Sequence, residues 1–201
     1  MSDPNHNFYS EIPENMPRTI NPISSRIFRF VFRLIGWRFL GDVPNEKKAV
    51  IIVAPHTSNI DFFIACFAKF ALKLKASYIM KKEAFFWPFK SWLIWIGGIP
   101  IDRKQPTNVI NQVAKQFQEH EKMWLVITPE GTRKKVKKFK TGFARMAHAA
   151  NVPMIVVGFD YEKKAIIFSR VMMPTGDYDA DAEELHQFCR TTFVARHPKY
   201  Q

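Results

Sequence analysis

The chain has 201 residues, a length typical of a single domain, and 47% of them are hydrophobic, which is enough to build a complete core. Only two cysteines occur, Cys66 and Cys189, so the sequence excludes a disulfide framework and indicates a reducing compartment. The formal net charge of +12 predicts a polyanionic partner: nucleic acid, an anionic membrane or a phosphorylated ligand.

The N-terminal part of the chain divides into two segments. Residues 1–22 are polar and rich in proline, and we predict a mobile arm that lacks the features of a signal peptide. Residues 23–40 carry Arg26, Arg29 and Arg33 at a spacing that places them on one face of a helix. A basic, aromatic-rich helix is typical of an anchor that lies on a membrane surface. The alternative is a helix that packs its apolar side on the core and leaves its arginines in water.

Beyond residue 40 the sequence alternates apolar runs with amphipathic segments, which predicts one domain over residues 41–201. The predicted strands cover residues 49–54, 77–80, 99–101, 124–128, 154–159 and 165–169. The predicted helices cover residues 60–74, 85–96, 107–122, 142–150 and 180–195. This order indicates an α/β fold with a largely parallel or mixed central sheet flanked by helices. No segment reaches the roughly 18 apolar residues that a membrane span needs.

A polar cluster follows the strand predicted over residues 49–54, at the strand end where such sheets bind ligands. His56 and Asp61 would not share a face of a straight helix, since five residues turn the helix by about 500°. They could meet if His56 lies in the turn and Asp61 in the first helical turn, with Ser58 or Asn59 as the N-cap. Asp61 would then hold one imidazole nitrogen and leave the other free as a general base. The alternative is an ordinary capping box, which leaves His56 unexplained.

Two further polar clusters follow later predicted strands. Residues 97–103 place two glycines before a short apolar strand and Arg103 at its end, and the planar guanidinium suits a pair of phosphate oxygens. Residues 129–133 form a loop in which proline and glycine can present backbone N–H groups to an anion. The alternatives are an arginine that pairs with Asp102 and a basic loop that is only solvated.

Together, in this order and at strand ends, the clusters resemble the glycerolipid acyltransferase family, which includes lysophosphatidic acid acyltransferases. The family's His–four residues–Asp motif corresponds to residues 56–61, and its Gly-x-Ile-x-Ile-x-Arg motif to residues 97–103. Its Pro-Glu-Gly-Thr-Arg motif is present at residues 129–133, and residues 152–155 match a fourth, Val-Pro-hydrophobic motif. The resemblance spans about residues 49–160.

The resemblance implies a direct acyl transfer, since neither cysteine belongs to a motif. His56, oriented by Asp61, would take the proton from an acceptor hydroxyl, which attacks a thioester carbonyl. The residues implied to hold the acceptor's phosphate are Arg103, Glu130, Gly131, Thr132 and Arg133. Because a glutamate cannot bind phosphate directly, its implied role is to orient an arginine. The donor would be acyl-CoA or acyl carrier protein, the acceptor a lysophosphatidic acid-type lipid, and no metal or other cofactor is implied.

Several alternatives stay open on the sequence alone. The same chemistry could act on glycerol 3-phosphate, a lysophospholipid or a lyso-aminolipid. A remote alternative is a basic nucleic-acid binder, although the aromatic residues lie mostly in apolar runs and no nucleic-acid module is legible. Another is a relative that binds membranes without catalysis. We expect a cytoplasmic protein, peripherally associated with the inner face of a membrane, whose partner is the anionic lipid surface and not nucleic acid.

Overall fold

The computed structural model describes residues 12–19, 22–101 and 106–200, which contain a seven-stranded sheet and six α-helices. The strands are β1 (Arg38–Leu40), β2 (Lys48–Ala54), β3 (Ala76–Lys81), β4 (Gly98–Ile101), β5 (Met123–Ile127), β6 (Met154–Asp160) and β7 (Ala165–Met172). The helices are α1 (Pro22–Leu34), α2 (Ile60–Ala71), α3 (Phe89–Trp95), α4 (Pro106–Glu119), α5 (Gly142–Ala150) and α6 (Tyr178–Thr192). Short 3₁₀ turns lie at Lys82–Ala84 and Pro198–Tyr200.

The strand order is β1-β7-β6-β2-β5-β3-β4, and the sheet is mixed. Strands β2 to β6 run parallel to one another, whereas β7 pairs antiparallel with β6 and parallel with β1. The β6–β7 pair is antiparallel because the four residues 161–164 that join these strands are too few for the crossover that a parallel pair needs. The predicted α/β fold with a largely parallel or mixed sheet is confirmed.

The sheet separates two apolar cores, and β2 contributes to both. Ala49, Ile51 and Val53 pack in one core with residues of α1 and α2. Val50 and Ile52, which point to the opposite face, pack in the other core with residues of α4, α5 and α6. The continuous apolar run of this central strand therefore reflects burial on both faces.

The carboxyl ends of β2, β5 and β6 lie side by side. The register pairs Ile52 with Ile127 and Ala54 with Gly158, so the loops that follow these strands leave the sheet at one edge. Two of the three polar clusters found in the sequence belong to these loops, and the sheet brings them together.

The N-terminal segment differs from the predicted mobile arm over residues 1–22. Within residues 12–19, the side chain of Met16 is fully buried in the core. The Thr19 N–H donates to the Lys73 carbonyl at 2.8 Å, and the Lys75 N–H donates to the Pro17 carbonyl at 2.9 Å. An apolar side chain and backbone hydrogen bonds thus fix this part of the arm to the domain. The rest of the predicted arm, except Pro22 at the start of α1, lies outside the described residues.

The helix predicted over residues 23–40 ends earlier, at Leu34. Gly36 follows it with a φ of +76°, the left-handed conformation that commonly terminates a helix. The next residues, Arg38–Leu40, pair with β7 instead. Phe32 is buried against the core, as the packing alternative expected, while Phe30 is exposed. None of the helices in the described ranges is long and apolar enough to cross a bilayer.

Candidate active site

The imidazole of His56 lies in the turn after β2 and contacts the carboxylate of Asp61 in the first turn of α2. The distance from Nδ1 to Oδ2 is 3.2 Å, and the side chains are 14% and 1% exposed. Since Asp61 accepts from Nδ1–H, the neutral ring keeps Nε2 as an acceptor for a proton. The sequence-predicted pair therefore has the geometry of an oriented general base.

Three groups hold the carboxylate of Asp61. Besides His56, the backbone N–H of Ser58 donates to Oδ2 at 2.8 Å, and the hydroxyl of Tyr161 donates to Oδ1. Burial alone would raise the pKa of Asp61, but the hydrogen bonds from these partners lower it below the ordinary value. The carboxylate is thus ionised at neutral pH. Only half of the capping box forms: Asp61 accepts the Ser58 N–H, but the Ser58 hydroxyl accepts the N–H of Ile60 at 3.1 Å instead of that of Asp61.

Tyr161 is the partner that the sequence analysis missed. It follows β6 directly, and its ring packs edge-on against Trp37 with the centroids 5.0 Å apart. A tyrosine at a strand end is a visible signal in the sequence. Its contact with Asp61, 100 residues earlier, depends on the pairing of β6 with β2 and could not be read from local spacing.

Glu130 supports the same histidine from the loop after β5. Its Oε1 accepts the backbone N–H of His56 at 2.9 Å. Among the described residues, its buried Oε2 has no hydrogen-bond partner. Burial raises the pKa of Glu130 to about 7. The structure thus gives Glu130 a contact to the backbone of the turn at His56, whereas the resemblance implied a contact to an arginine.

The other residues implied to hold phosphate lie in different surroundings. Gly131 has a φ of +61°, a left-handed conformation that favours glycine at this point of the loop. Thr132 and Arg133 are exposed, and the Thr132 hydroxyl accepts the backbone N–H of Lys134 at 3.3 Å. Arg103 lies outside the described residues.

A large cavity of about 590 Å³ borders His56 and Asp61, and residues from both faces of the sheet line it, those of α2 on one side and Val109, Phe143 and Met146 of α4 and α5 on the other. Its lining is mostly apolar and includes Ile51, Ala65 and Phe168. Side chains along α2, from Asp61 to Leu72 just after its end, border it over about 16 Å at the rise of an α-helix. Such a cavity suits a long hydrocarbon chain whose reactive end lies at His56.

A smaller cavity borders His56 on the α6 side. Its polar lining residues include His56, Thr57, Glu130, Lys134, His186 and Arg190. The imidazole of His56 therefore separates an apolar cavity from a smaller one with basic side chains. At about 20 Å³ the smaller cavity has room for little more than one water molecule, so the large cavity is the one that can hold a ligand beside His56.

Neither cysteine has the properties of a nucleophile. Burial raises the pKa of the Cys66 thiol, and burial raises that of Cys189 to about 12. Both side chains are therefore thiols at neutral pH, so neither is activated for nucleophilic attack.

Comparisons with known proteins agree with the motifs. The chain matches the protein-family model described as Acyltransferase over residues 14–160. It is 34% identical over 127 residues to the 1-acyl-sn-glycerol-3-phosphate acyltransferase of Pseudomonas aeruginosa, a match that covers 60% of this chain and 47% of that protein. It is 31% identical over 167 residues to a probable 1-acyl-sn-glycerol-3-phosphate acyltransferase of Mycoplasma pneumoniae, covering 73% and 59%. The chain thus spans about half the length of these curated relatives.

A solved structure shares the fold. The 1-acyl-sn-glycerophosphate (LPA) acyltransferase PlsC from Thermotoga maritima is similar with a TM-score of 0.57, covering 85% of this chain and 75% of that chain. The sequence identity is 15%, so the likeness concerns the architecture of the sheet and its helices.

Proposed function

The chain belongs to the acyltransferase family, and from this premise we propose that it transfers a fatty acyl group from a thioester to the hydroxyl of a lysophosphatidic acid-type lipid. The observation that carries the proposal is His56, held by Asp61 at the wall of a large, mostly apolar cavity. The names of the curated relatives support the choice of acceptor.

In the proposed reaction, Nε2 of His56 takes the proton from the acceptor hydroxyl while the hydroxyl oxygen attacks the thioester carbonyl carbon. Asp61 stabilises the imidazolium that forms. The carbon–sulfur bond then breaks, and the imidazolium returns the proton to the departing thiolate. The products are an ester and a free thiol, and His56 is neutral again.

The donor is acyl-CoA or acyl carrier protein, both of which are acidic and fit the net charge of +12. The acyl chain occupies the large cavity. Arg103, Gly131, Thr132 and Arg133 bind the acceptor's phosphate in this proposal. The exposed positions of Thr132 and Arg133 leave these two side chains open to a lipid headgroup. The proposed place of action is the surface of an anionic membrane, where α1 is the basic anchor.

The proposal is tested by the release of free thiol from palmitoyl-CoA, measured with several acceptors. The acceptors are lysophosphatidic acid, glycerol 3-phosphate, a lysophospholipid and a lyso-aminolipid. We expect release that needs an acceptor and is fastest with lysophosphatidic acid. Release at the same rate without any acceptor would identify a thioesterase and refute the proposed transfer.

Tyr161→Phe should lower kcat/KM about tenfold, because Asp61 loses one of the donors that fix it. The pKa of Asp61 should rise, since the lost hydrogen bond favoured the carboxylate. Because the pKa of Asp61 is lower in the folded state, its ionised carboxylate stabilises the fold at pH values above 3.8, the pKa of the unfolded chain. This stabilisation is lost as the pH falls through the folded-state pKa. In urea unfolding, the wild type should therefore exceed the variant in stability at pH 7 and lose this advantage in acid.

Tyr178→Phe is the matched control, because it too removes one hydrogen-bonded tyrosine hydroxyl. The hydroxyl of Tyr178 lies 2.7 Å from Nδ1 of His148. This pair lies on α5 and α6, away from His56. An equal loss of kcat/KM in both variants would show that Tyr161 acts through general stability and not through Asp61.

Ala65→Phe should shift the donor preference toward shorter acyl chains, because the new ring occupies part of the large cavity. Displacing two methylene groups corresponds to about a tenfold loss of kcat/KM with palmitoyl-CoA. A short-chain acyl-CoA should keep its rate. Ala149→Phe, on the exposed face of α5, is the control that adds the same ring outside the cavity. An unchanged chain-length profile in Ala65→Phe would place the acyl group elsewhere.

A further inference from the structure

Residues 86–95, which include α3, form an unusually exposed apolar segment. Trp87 is 88% exposed and Trp95 is 71% exposed. Phe86, Phe89, Trp92 and Ile94 are all exposed as well. Contiguous apolar surface of this kind is rare on soluble proteins and marks a contact with another molecule or with lipid.

The helix α1 adds a second exposed apolar row. Ile27, Phe30 and Leu34 are 57%, 67% and 74% exposed, and their spacing of three and four places them on one side of the helix. This side differs from the one that carries the buried Phe32. One side of α1 therefore packs on the domain while another presents apolar side chains to the surroundings.

A stack of aromatic rings joins the two segments. The ring of Phe70 in α2 stacks with Phe28 of α1 at 4.7 Å and with Trp95 of α3 at 5.7 Å between centroids. The ammonium of Lys69 joins the end of α3 to β3, because it donates to the carbonyl of Ile96, which follows α3, and to that of Ala76 in β3. The two segments thus lie on the same side of α2, and together we call them the aromatic surface. Lys69 also lines the large cavity, so this surface adjoins it.

Basic side chains are interspersed with the aromatic surface. Arg26 and Arg33 on α1 and Lys90 on α3 are exposed. A second copy of the chain would bring the same positive charges against this surface and repel it, whereas anionic lipid attracts it. Tryptophan and phenylalanine beside lysine and arginine are typical of elements that lie at the headgroup level of an anionic bilayer.

We propose that the aromatic surface, with residues 86–95 as a second membrane element beside α1, is the face that lies on an anionic bilayer. This inference rests on and extends the membrane association proposed above. The tryptophans of the segment lie among the headgroups, and the neighbouring basic residues attract the anionic lipids. The large cavity is then held next to the lipid surface.

Sedimentation with vesicles of phosphatidylcholine, with or without phosphatidylglycerol, tests the inference. The double variant Trp87→Ser/Phe89→Ser should weaken binding to the anionic vesicles about tenfold, and so should Phe30→Ser/Leu34→Ser. Val171→Ser/Met173→Ser removes exposed apolar side chains outside the aromatic surface and should stay within about twofold of the wild type. The single variant Lys90→Glu, a fully surface change, should reduce the preference for anionic vesicles.

If the Trp87→Ser/Phe89→Ser variant and the Lys90→Glu variant both bind anionic vesicles as tightly as the wild type, the inference is overturned and α1 alone is the anchor. A wild type that ignores vesicles and forms a dimer in analytical ultracentrifugation, with the dimer lost in the Trp87/Phe89 variant, would assign the surface to a second copy. Acyl transfer to detergent-dispersed lipid, measured in parallel, keeps the two proposals apart. Vesicle binding without transfer refutes the proposed reaction alone, and transfer without vesicle binding refutes this inference alone.

Discussion

His56→Ala is expected to lower kcat/KM for acyl transfer by about 10²–10⁴-fold, the usual contribution of a general base. The acceptor hydroxyl is a weak nucleophile, and its proton has to leave as the oxygen attacks. Nε2 of His56 is the group placed for this step, since Nδ1 is held by Asp61 at 3.2 Å. The substitution removes the base but leaves both cavities, so thiol release should fall while vesicle binding persists.

His120→Ala is the matched control for this experiment. His120 is exposed just before β5, at the opposite end of that strand from the site. The strand alone covers about 17 Å, so this histidine lies too far from His56 to take part in the reaction. Full activity of His56→Ala, with circular dichroism and melting temperature unchanged, would contradict the proposed mechanism.

Glu130→Gln should stabilise the protein at alkaline pH and have little effect in mild acid. Burial raises the pKa of Glu130 from 4.5 to about 7, so the folded state holds its proton more tightly than the unfolded state. Between these two values the stability of the wild type falls as the pH rises, because folding then opposes ionisation of a buried carboxyl. The shift corresponds to roughly 3 kcal/mol.

Glutamine resembles the protonated carboxyl and can still accept the backbone N–H of His56. The free energy of unfolding of Glu130→Gln, relative to wild type, should therefore increase by roughly 3 kcal/mol between pH 4.5 and pH 8. Glu121→Gln is the control, since Glu121 forms an exposed ion pair with Lys47 at 3.8 Å. Such pairs contribute little, so its change should stay within about 1 kcal/mol. A pH-independent difference in the Glu130 variant would show that a cation neutralises Glu130.

Local sequence patterns determined the secondary structure, with errors confined to element ends and to the N-terminal region. Helix α5 has the predicted bounds, and β2 differs by one residue. The predicted helix over residues 85–96 is shorter, Phe89–Trp95, with Pro88 immediately before it. Proline lacks an N–H and fits only the start of a helix, so it marks the break. The pattern of residues 23–40 did not reveal that Arg38–Leu40 would join the sheet, since a strand of three residues has no periodicity of its own.

The pairing of His56 with Asp61 was predictable because the two residues are only five positions apart and the helix begins between them. Tyr161 and Glu130 reach the same turn from β6 and β5, and only the strand order decided that these strands flank β2. The large cavity and the exposed aromatic surface are likewise products of tertiary packing. An apolar residue in a sequence reads the same whether it fills a core, lines a cavity or meets lipid, because the hydrophobic effect depends on the area removed from water and not on the identity of its neighbour.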